Sequence, residues 1–408
     1  GTNSSWELGS PTGVINSAFS GSNAYVTSLS GSYNDNELSF VYGPCFDLSR
    51  LKRPMIKLRT WSDVIDFGTL FGSNDGARLE YWAGTSTGWM TLGNTTDGIN
   101  WYNGDSIYSG SVSTIDDLVG WSGQDGDWKD SRYKLDEIRD GLDNDTLVRF
   151  RIAFHSDTLL AGGGFAFDNV WVGERKKRVL VEHFTNTEDP LSNTHQPDFD
   201  QLMDDNVLDA IDLQYHTEIP DGDLLWSDYP SGPNARTLYY STSGVVPYSI
   251  NDGILYRDST QNWIADSAVF KANSLRDPGF IIDLTGTTID AVSRVIDVRV
   301  KLEALSDYIN ENIRVHIAVI EDNAGVSGAQ NVVRRMLPDA GGSILPVLSM
   351  FAYDTLSMDP QTWTVPASMD ISNIMVVVFV QNYNTQEVYQ CADNINYLIA
   401  TDDAVEDA

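Results

Sequence analysis

A chain of 408 residues is too long for one ordinary hydrophobic core, so two or three domains are expected. It carries 26 Lys and Arg against 58 Asp and Glu, a formal charge of −32, which speaks against nucleic acid or anionic lipid as partner, because both require clustered cations. Only Cys45 and Cys391 are present, which excludes a disulfide framework and a four-cysteine metal site. The longest strongly apolar run, 374-IMVVVFV-380, is far short of a membrane span, so direct membrane insertion is not expected. Nothing resembles a signal peptide, and a start in 1-GTNSSWELGSP suits a processed or excised fragment.

Residues 1–174 read as all-β: alternating segments such as 78-RLEYW-82, 148-VRFRIAF-154 and 165-FAFDNVWV-172 are separated by Gly, Asn, Asp and Ser clusters. Eight of the eleven tryptophans lie here, which favours core and hairpin packing over a sugar-stacking platform. The cluster 174-ERKKR-178 marks a linker. Beyond it, strands alternate with helices: an apolar strand 179–184, helical spacing over 194-THQPDFDQLMDDN-206, and a strand in 208-LDAIDLQYHT-217 with Ile211, Leu213 and Tyr215 on one face. A second helix is expected around 234–242, extended structure over 245-VVPYSINDG-253, and an amphipathic helix around 260–275. The β-α-β-α-β order predicts parallel pairing in an α/β layer. From 279 the chain is β-rich again, with strands in 294–305, 313-IRVHIAVIED-322 and 374–384, and 401–408 reads as a tail or the exit to a further domain.

The first segment resembles the MAM-like jelly-roll modules of secreted Bacteroidetes surface proteins, through 6-WELGSPTGVINSAFSGSNAYVT-27, 41-VYGPCFDLS-49, 75-DGARLEYW-82 and 163-GGFAFDNVWVG-173. The resemblance implies a binding or spacer module and a structural calcium, for which Asp35, Glu37, Asp75 and Asp168 are the candidate ligands. The alternative is that Asp35 and Asp75 are turn residues and that Asp168 accepts from backbone donors. Residues 178–400 resemble the outer membrane protein 28 family of the same phylum, a thioredoxin-like unit followed by a β-sandwich, through 179-VLVEHFTNT-187, 245-VVPYSINDG-253, 315-VHIAVIEDN-323 and 377-VVFVQNYNTQEVYQ-390. That resemblance places Asp189 and Ser192 where a thioredoxin-like chain carries its two cysteines, and makes Pro247, after Val246, the candidate cis-proline.

Disulfide exchange requires an attacking thiolate and a resolving thiol, and Asp189 and Ser192 supply neither. A serine nucleophile would need a base, for which His183 and His195 are near enough in sequence; satisfied structural histidines are the competing reading. The more economical role for Asp189 or Ser192 is to accept hydrogen bonds from the free amides of the following helix. A formal Gly-x-Ser-x-Gly, 84-GTSTG-88, lies between strand segments and lacks the strand-turn-helix setting of a nucleophile elbow. Phosphate-binding, dinucleotide and zinc-protease motifs are absent, so no redox or organic cofactor is expected.

The expected fold class is multidomain and β-rich with one α/β unit: a jelly-roll β-sandwich (1–174), a thioredoxin-like domain without Cys-x-x-Cys (175–278), a β-sandwich (279–403) and a tail (404–408). The resemblances imply a secreted or cell-surface protein exported by the type IX route, which binds glycan or other surface proteins without catalysis. The rival readings are a hydrolase acting on an extracellular polymer and a subunit of a surface lattice or filament.

Overall fold

The computed structural model describes every residue except 67–74, 85–87, 108–117, 143–146, 221, 243–245, 256–266, 326–328, 395–405 and 408. Two compact units separate, the first comprising Gly1–Arg175 and Ala400–Ala408 and the second Lys176–Ile399.

The first unit is built mainly from two antiparallel sheets, with a further two-stranded sheet of Gly104–Ile107 and Leu118–Gly120. One orders Trp6–Gly9, Ala24–Thr27, Gly164–Glu174, Pro54–Asp63 and Lys129–Lys134; the other orders Leu38–Asp47, Leu147–His155, Gly76–Ala83 and Met90–Thr91, with Glu406–Asp407 added at its Leu38–Asp47 edge. Alternation explains the core. Ile56, Leu58, Phe165 and Phe167 from the first sheet and Leu79, Val148, Phe150, Ile152 and Phe154 from the second point into one buried cluster, while the intervening residues face away. Trp6, Trp61, Trp101, Trp121 and Trp128 are among the tryptophans that pack in ring pairs within this unit, as core and hairpin residues. The strands that flank the Gly-x-Ser-x-Gly segment pair antiparallel, Glu80 with Thr91 and Tyr81 with Met90; residues 85–87 lie outside the described residues.

In the second unit the strand Val179–Thr185 is followed by the helix Pro190–Asp204 and by the strand Ala210–His216, which pairs parallel to the first from Val179↔Ala210 to Thr185↔His216. The helix begins four residues earlier than its apolar spacing predicts, because Asp189 caps it and Pro190 needs no amide partner in the first turn. Two further helices, Leu224–Asp228 and Ser231–Tyr239, lead to the strand Tyr248–Asn251, which runs antiparallel to Val179–Thr185. This corrects the expectation of parallel pairing throughout. Tyr248 pairs with Phe184, at the end of the sheet where the preceding strand finishes, so the chain re-enters where it left and must run the other way. Of the helix expected over 260–275, the described part is Ser267–Ser274.

These strands do not form a sheet of their own. A nine-stranded sheet orders Ile254–Leu255, Tyr248–Asn251, Val179–Thr185, Ala210–His216, Val332–Leu337, Ile313–Glu321, Ile374–Asn382 and Val388–Asp393, with Ser343–Ile344 paired to Ile313–Glu321. Strands from both sides of the 278/279 boundary therefore share one ladder, joined through Gln214↔Val332. Both faces of the sheet are covered. Val315, Ile317, Val376 and Val378 pack on one side with Phe280, Ile296 and Leu302 from the short sheets of residues 280–364. Ala318, Ile320, Val377 and Phe379 pack on the other with Leu180, Phe184, Leu213 and Tyr215. Double burial is why these strands read as nearly continuous apolar runs.

Candidate functional site

Asp189 has extended backbone and its carboxylate accepts from the amide of Ser192 at 2.6 Å, while its carbonyl accepts from Asn193 at 3.0 Å. The turn before it is closed by Asp189 N–H donating to Asn186 at 3.2 Å and by Asn186 Nδ2 donating to the carbonyls of Thr217 and Pro220 at 2.9 and 2.7 Å. Asp189 is thus the N-cap. Ser192 supplies only its backbone amide; its hydroxyl is buried and, among the described residues, has no hydrogen-bond partner. The Val246–Pro247 peptide bond is cis.

Beneath this helix lies a layer of buried polar side chains contributed by every second residue of the two parallel strands. Thr185 donates to Gln196 at 3.1 Å; Gln196 donates to Asp200 at 2.8 Å and to Gln214 at 3.0 Å; Gln214 donates to Asp200 at 3.1 Å and to Asp212 at 3.3 Å; Asn331 donates to Asp212 at 2.7 Å. Burial pushes the Asp212 carboxyl up to about 6, against the amides that stabilise its charged form. Asp212, Gln214 and His216 alternate with the apolar face of 208-LDAIDLQYHT-217, and it is the burial of the strand on both sides that turns them into a layer.

Two histidines complete the layer. His183 Nδ1 meets Ser249 Oγ at 2.8 Å, and its ring stacks on Phe199 with centroids 3.9 Å apart. His216 Nδ1 meets Asp223 Oδ2 at 2.8 Å, and Asp223 also accepts from Thr187, Leu225 and Trp226, which makes it the cap of the next short helix. Among the described residues neither Nε2 atom makes a hydrogen bond of normal geometry. A serine beside a histidine, and a histidine oriented by a carboxylate, are the parts of nucleophilic catalysis, but here they are on different residues. Ser249 has His183 with no acid behind it, and His216 has Asp223 with no hydroxyl at its Nε2. Burial, with His216 adding to it, also pushes His183 down to about 3, far too weak a base to activate an alcohol at neutral pH. His195 lies half-buried on the helix, and no hydrogen bond joins it or His183 to the Ser192 hydroxyl.

On the opposite face of the sheet, Glu182 and Arg236 are both fully buried and joined by two parallel hydrogen bonds of 2.8 and 2.7 Å. Tyr240 donates to the same carboxylate at 2.5 Å, and Gln381 bridges Arg236 and Tyr240 at 3.1 and 2.9 Å. Nothing in the spacing of these residues along the chain joins them. A cavity of about 220 Å³ opens in the same unit, lined by Asp204, Asp212, Asp322, Gln330 and Asn331 and by Arg178, which is ion-paired to Asp393 at 2.6 Å.

Three of the four candidate calcium ligands of the first unit accept hydrogen bonds from protein donors. Glu37 accepts from Ser5 N–H at 2.8 Å, from Ser5 Oγ at 2.5 Å and from Ser39 Oγ; Asp75 accepts from Tyr33 at 2.6 Å and from the Asp157 amide at 2.7 Å; Asp168 accepts from the amides of Phe19 and Ser20 at 3.1 Å each and from Asn169 at 2.8 Å. Asp35 is exposed, and its backbone carbonyl accepts from Asn3 at 2.7 Å. Among the described residues no group of three or more His, Cys, Asp or Glu is placed to hold a metal. Also among the described residues, no helix is long and apolar enough to cross a membrane.

No family model matches the chain, and no curated protein does. Among solved structures it is similar to HBP35 of Porphyromonas gingivalis, at 16% identity and a TM-score of 0.43 over 54% of this chain and 76% of that one. It is similar to a domain of the outer membrane lipoprotein Omp28 from the same species, at 21% identity and 0.22 over 28% and 86%, and to a protein of Agrobacterium tumefaciens, at 15% and 0.31 over 53% and 94%. Similarities of this size assign neither a family nor an activity, and the chain stands as a β-rich protein of two units with an α/β layer in the second.

Proposed function

We propose that this chain is a non-catalytic binding and structural protein of the cell exterior, in which a thioredoxin-like frame is kept as a scaffold. The observation that carries the reading is the Asp189–Ser192 turn: the position of thiol chemistry in the resembled family is a helix cap, and among the described residues the buried Ser192 hydroxyl makes no hydrogen bond to a base. On this reading 1–174 is a jelly-roll attachment module, 175–278 the thioredoxin-like part and 279–403 the β-sandwich part, whose strands continue the same sheet. Export by the type IX route and a surface location follow from the resemblances in 6–27, 163–173 and 179–187, and the charge of −32 suits a protein that stays soluble outside the cell. The partners are glycans or other surface proteins.

The test has two arms. In the first, the whole chain is assayed for insulin-disulfide reduction and for hydrolysis of ester, glycoside and peptide substrates; the expected result is no turnover above buffer. In the second it is screened on a glycan array and against isolated cell-envelope fractions, where saturable retention is expected. Turnover that disappears in Ser249→Ala or His216→Ala, or the lack of any saturable ligand, would overturn the reading.

A further inference from the structure

The solvent-side face of the second sheet in the first unit carries a group of side chains that the core does not use. Because Val41, Leu79, Phe150 and Ile152 point inward, the strand partners Phe40, Tyr42, Glu80 and Arg151 point out, with Trp89 beside them. Arg151 is held between two rings, its guanidinium carbon 3.8 Å from the Phe40 centroid and 4.2 Å from that of Trp89. It donates to Glu80 at 2.6 Å and to the Tyr42 hydroxyl at 3.1 Å, and Tyr42 meets Trp89 edge-on at 5.5 Å. Arg78 takes the other Glu80 oxygen at 2.7 Å, so Glu80 is neutralised twice over.

Two groups are left facing solvent. Tyr42 is 47% exposed although its orientation is fixed from both ends. Arg149 is exposed; its Nε is anchored to the Gly43 carbonyl at 2.8 Å and its guanidinium carbon lies 5.2 Å from the Tyr42 centroid. In a chain of net charge −32, this cluster holds three arginines to one glutamate, so it is a locally cationic, aromatic and pre-ordered surface. We propose that it binds the carboxylated sugar of an acidic glycan: the carboxylate takes the outward N–H groups of Arg149, and the apolar side of the sugar ring lies on Tyr42. Arg fits because its planar fork matches a carboxylate with two hydrogen bonds. A single terminal acidic sugar fits better than a polyanion such as nucleic acid, because one local charge escapes the repulsion that the whole chain exerts on many. Arg151, Phe40 and Trp89 are positioning residues, which order Tyr42 before the ligand arrives and so reduce the entropic cost of binding.

The inference rests on the binding function proposed above and names its ligand class. The probes are sialyllactose and digalacturonic acid, with lactose as the neutral comparison, titrated calorimetrically into the whole chain. Cys45, half-buried and paired across the strands with Arg149, reports occupancy through its rate of thiol labelling. At least one acidic probe is expected to bind and to slow Cys45 labelling, while lactose does neither. Arg149→Ala and Tyr42→Ala are each expected to weaken binding by about tenfold or more, with Arg149→Lys intermediate. Thermal melts establish that the variants fold. If neither acidic probe binds, if lactose binds equally, or if both alanine variants bind as the parent does, this site is overturned. Saturable retention of another glycan, unchanged in the Tyr42→Ala and Arg149→Ala variants, would overturn the site while leaving the binding function standing.

Discussion

Arg236 reaches from the Ser231–Tyr239 helix to Glu182 in the adjoining strand, Nε to Oε1 at 2.8 Å and Nη2 to Oε2 at 2.7 Å, with both residues out of contact with water. The pair fastens the helix to one face of the nine-stranded sheet. Tyr240 and Gln381 take further donors and acceptors of the pair, which makes it part of a buried hydrogen-bonded network.

Breaking that pair from one side leaves an uncompensated buried charge. Arg236→Met and Glu182→Leu are each expected to destabilise the second unit by about 3–5 kcal/mol. The double variant is expected to cost less than the sum of the two. Urea denaturation of the four proteins measures the coupling directly.

The cap and its neighbour are expected to separate cleanly. Asp189→Ala removes the acceptor of the Ser192 amide and costs about 1 kcal/mol, while Asp189→Asn keeps most of it. Ser192→Ala is expected to be neutral or stabilising, because the hydroxyl it deletes is buried without a partner. A redox or nucleophilic site would show the opposite order in an activity assay; here the readout is thermal stability alone.

Acid has two opposed effects on the polar layer. Burial lowers His183 from 6.5 to about 3, so between those values the unfolded chain binds a proton that the folded chain refuses. That contribution is complete above about pH 6.5 and is lost as pH falls, at about 1.4 kcal/mol per pH unit. Burial raises Asp212 from 3.8 to about 6, so between those values the folded chain binds the proton first, and this group favours folding as pH falls. In urea denaturation from pH 7 to 4, His183→Leu is expected to flatten the loss of stability toward acid, and Asp212→Asn to steepen it.

The two thiols are expected to differ sharply. Cys391 is buried against the Arg178 carbonyl and burial pushes its thiol up to about 12, whereas Cys45 is only half-buried. A thiol reagent at pH 8 is expected to label Cys45 alone in the folded protein and both cysteines in urea.

Much of this molecule is written locally. Alternation in 148–154 determined a strand with one inward face, the pattern in 313–319 determined a strand, the Asp-Pro step at 189–190 determined where a helix starts, and the missing cysteines removed thiol chemistry at that turn. What local pattern leaves open is which face finds a second cover. The polar face of 210–216 reads as solvent-facing, yet the Pro190–Asp204 helix lies over it and turns Asp212, Gln214 and His216 into a buried hydrogen-bonded layer. Only the tertiary structure also decided that strands on both sides of residue 278 share one sheet, that Tyr248–Asn251 runs antiparallel, and that Glu182, Arg236 and Gln381 meet. The physical reason is the same in each case: periodicity is set by neighbours a few residues apart, whereas pairing is set by where long connections return the chain, and a buried polar group is tolerated only once that return has brought its partner.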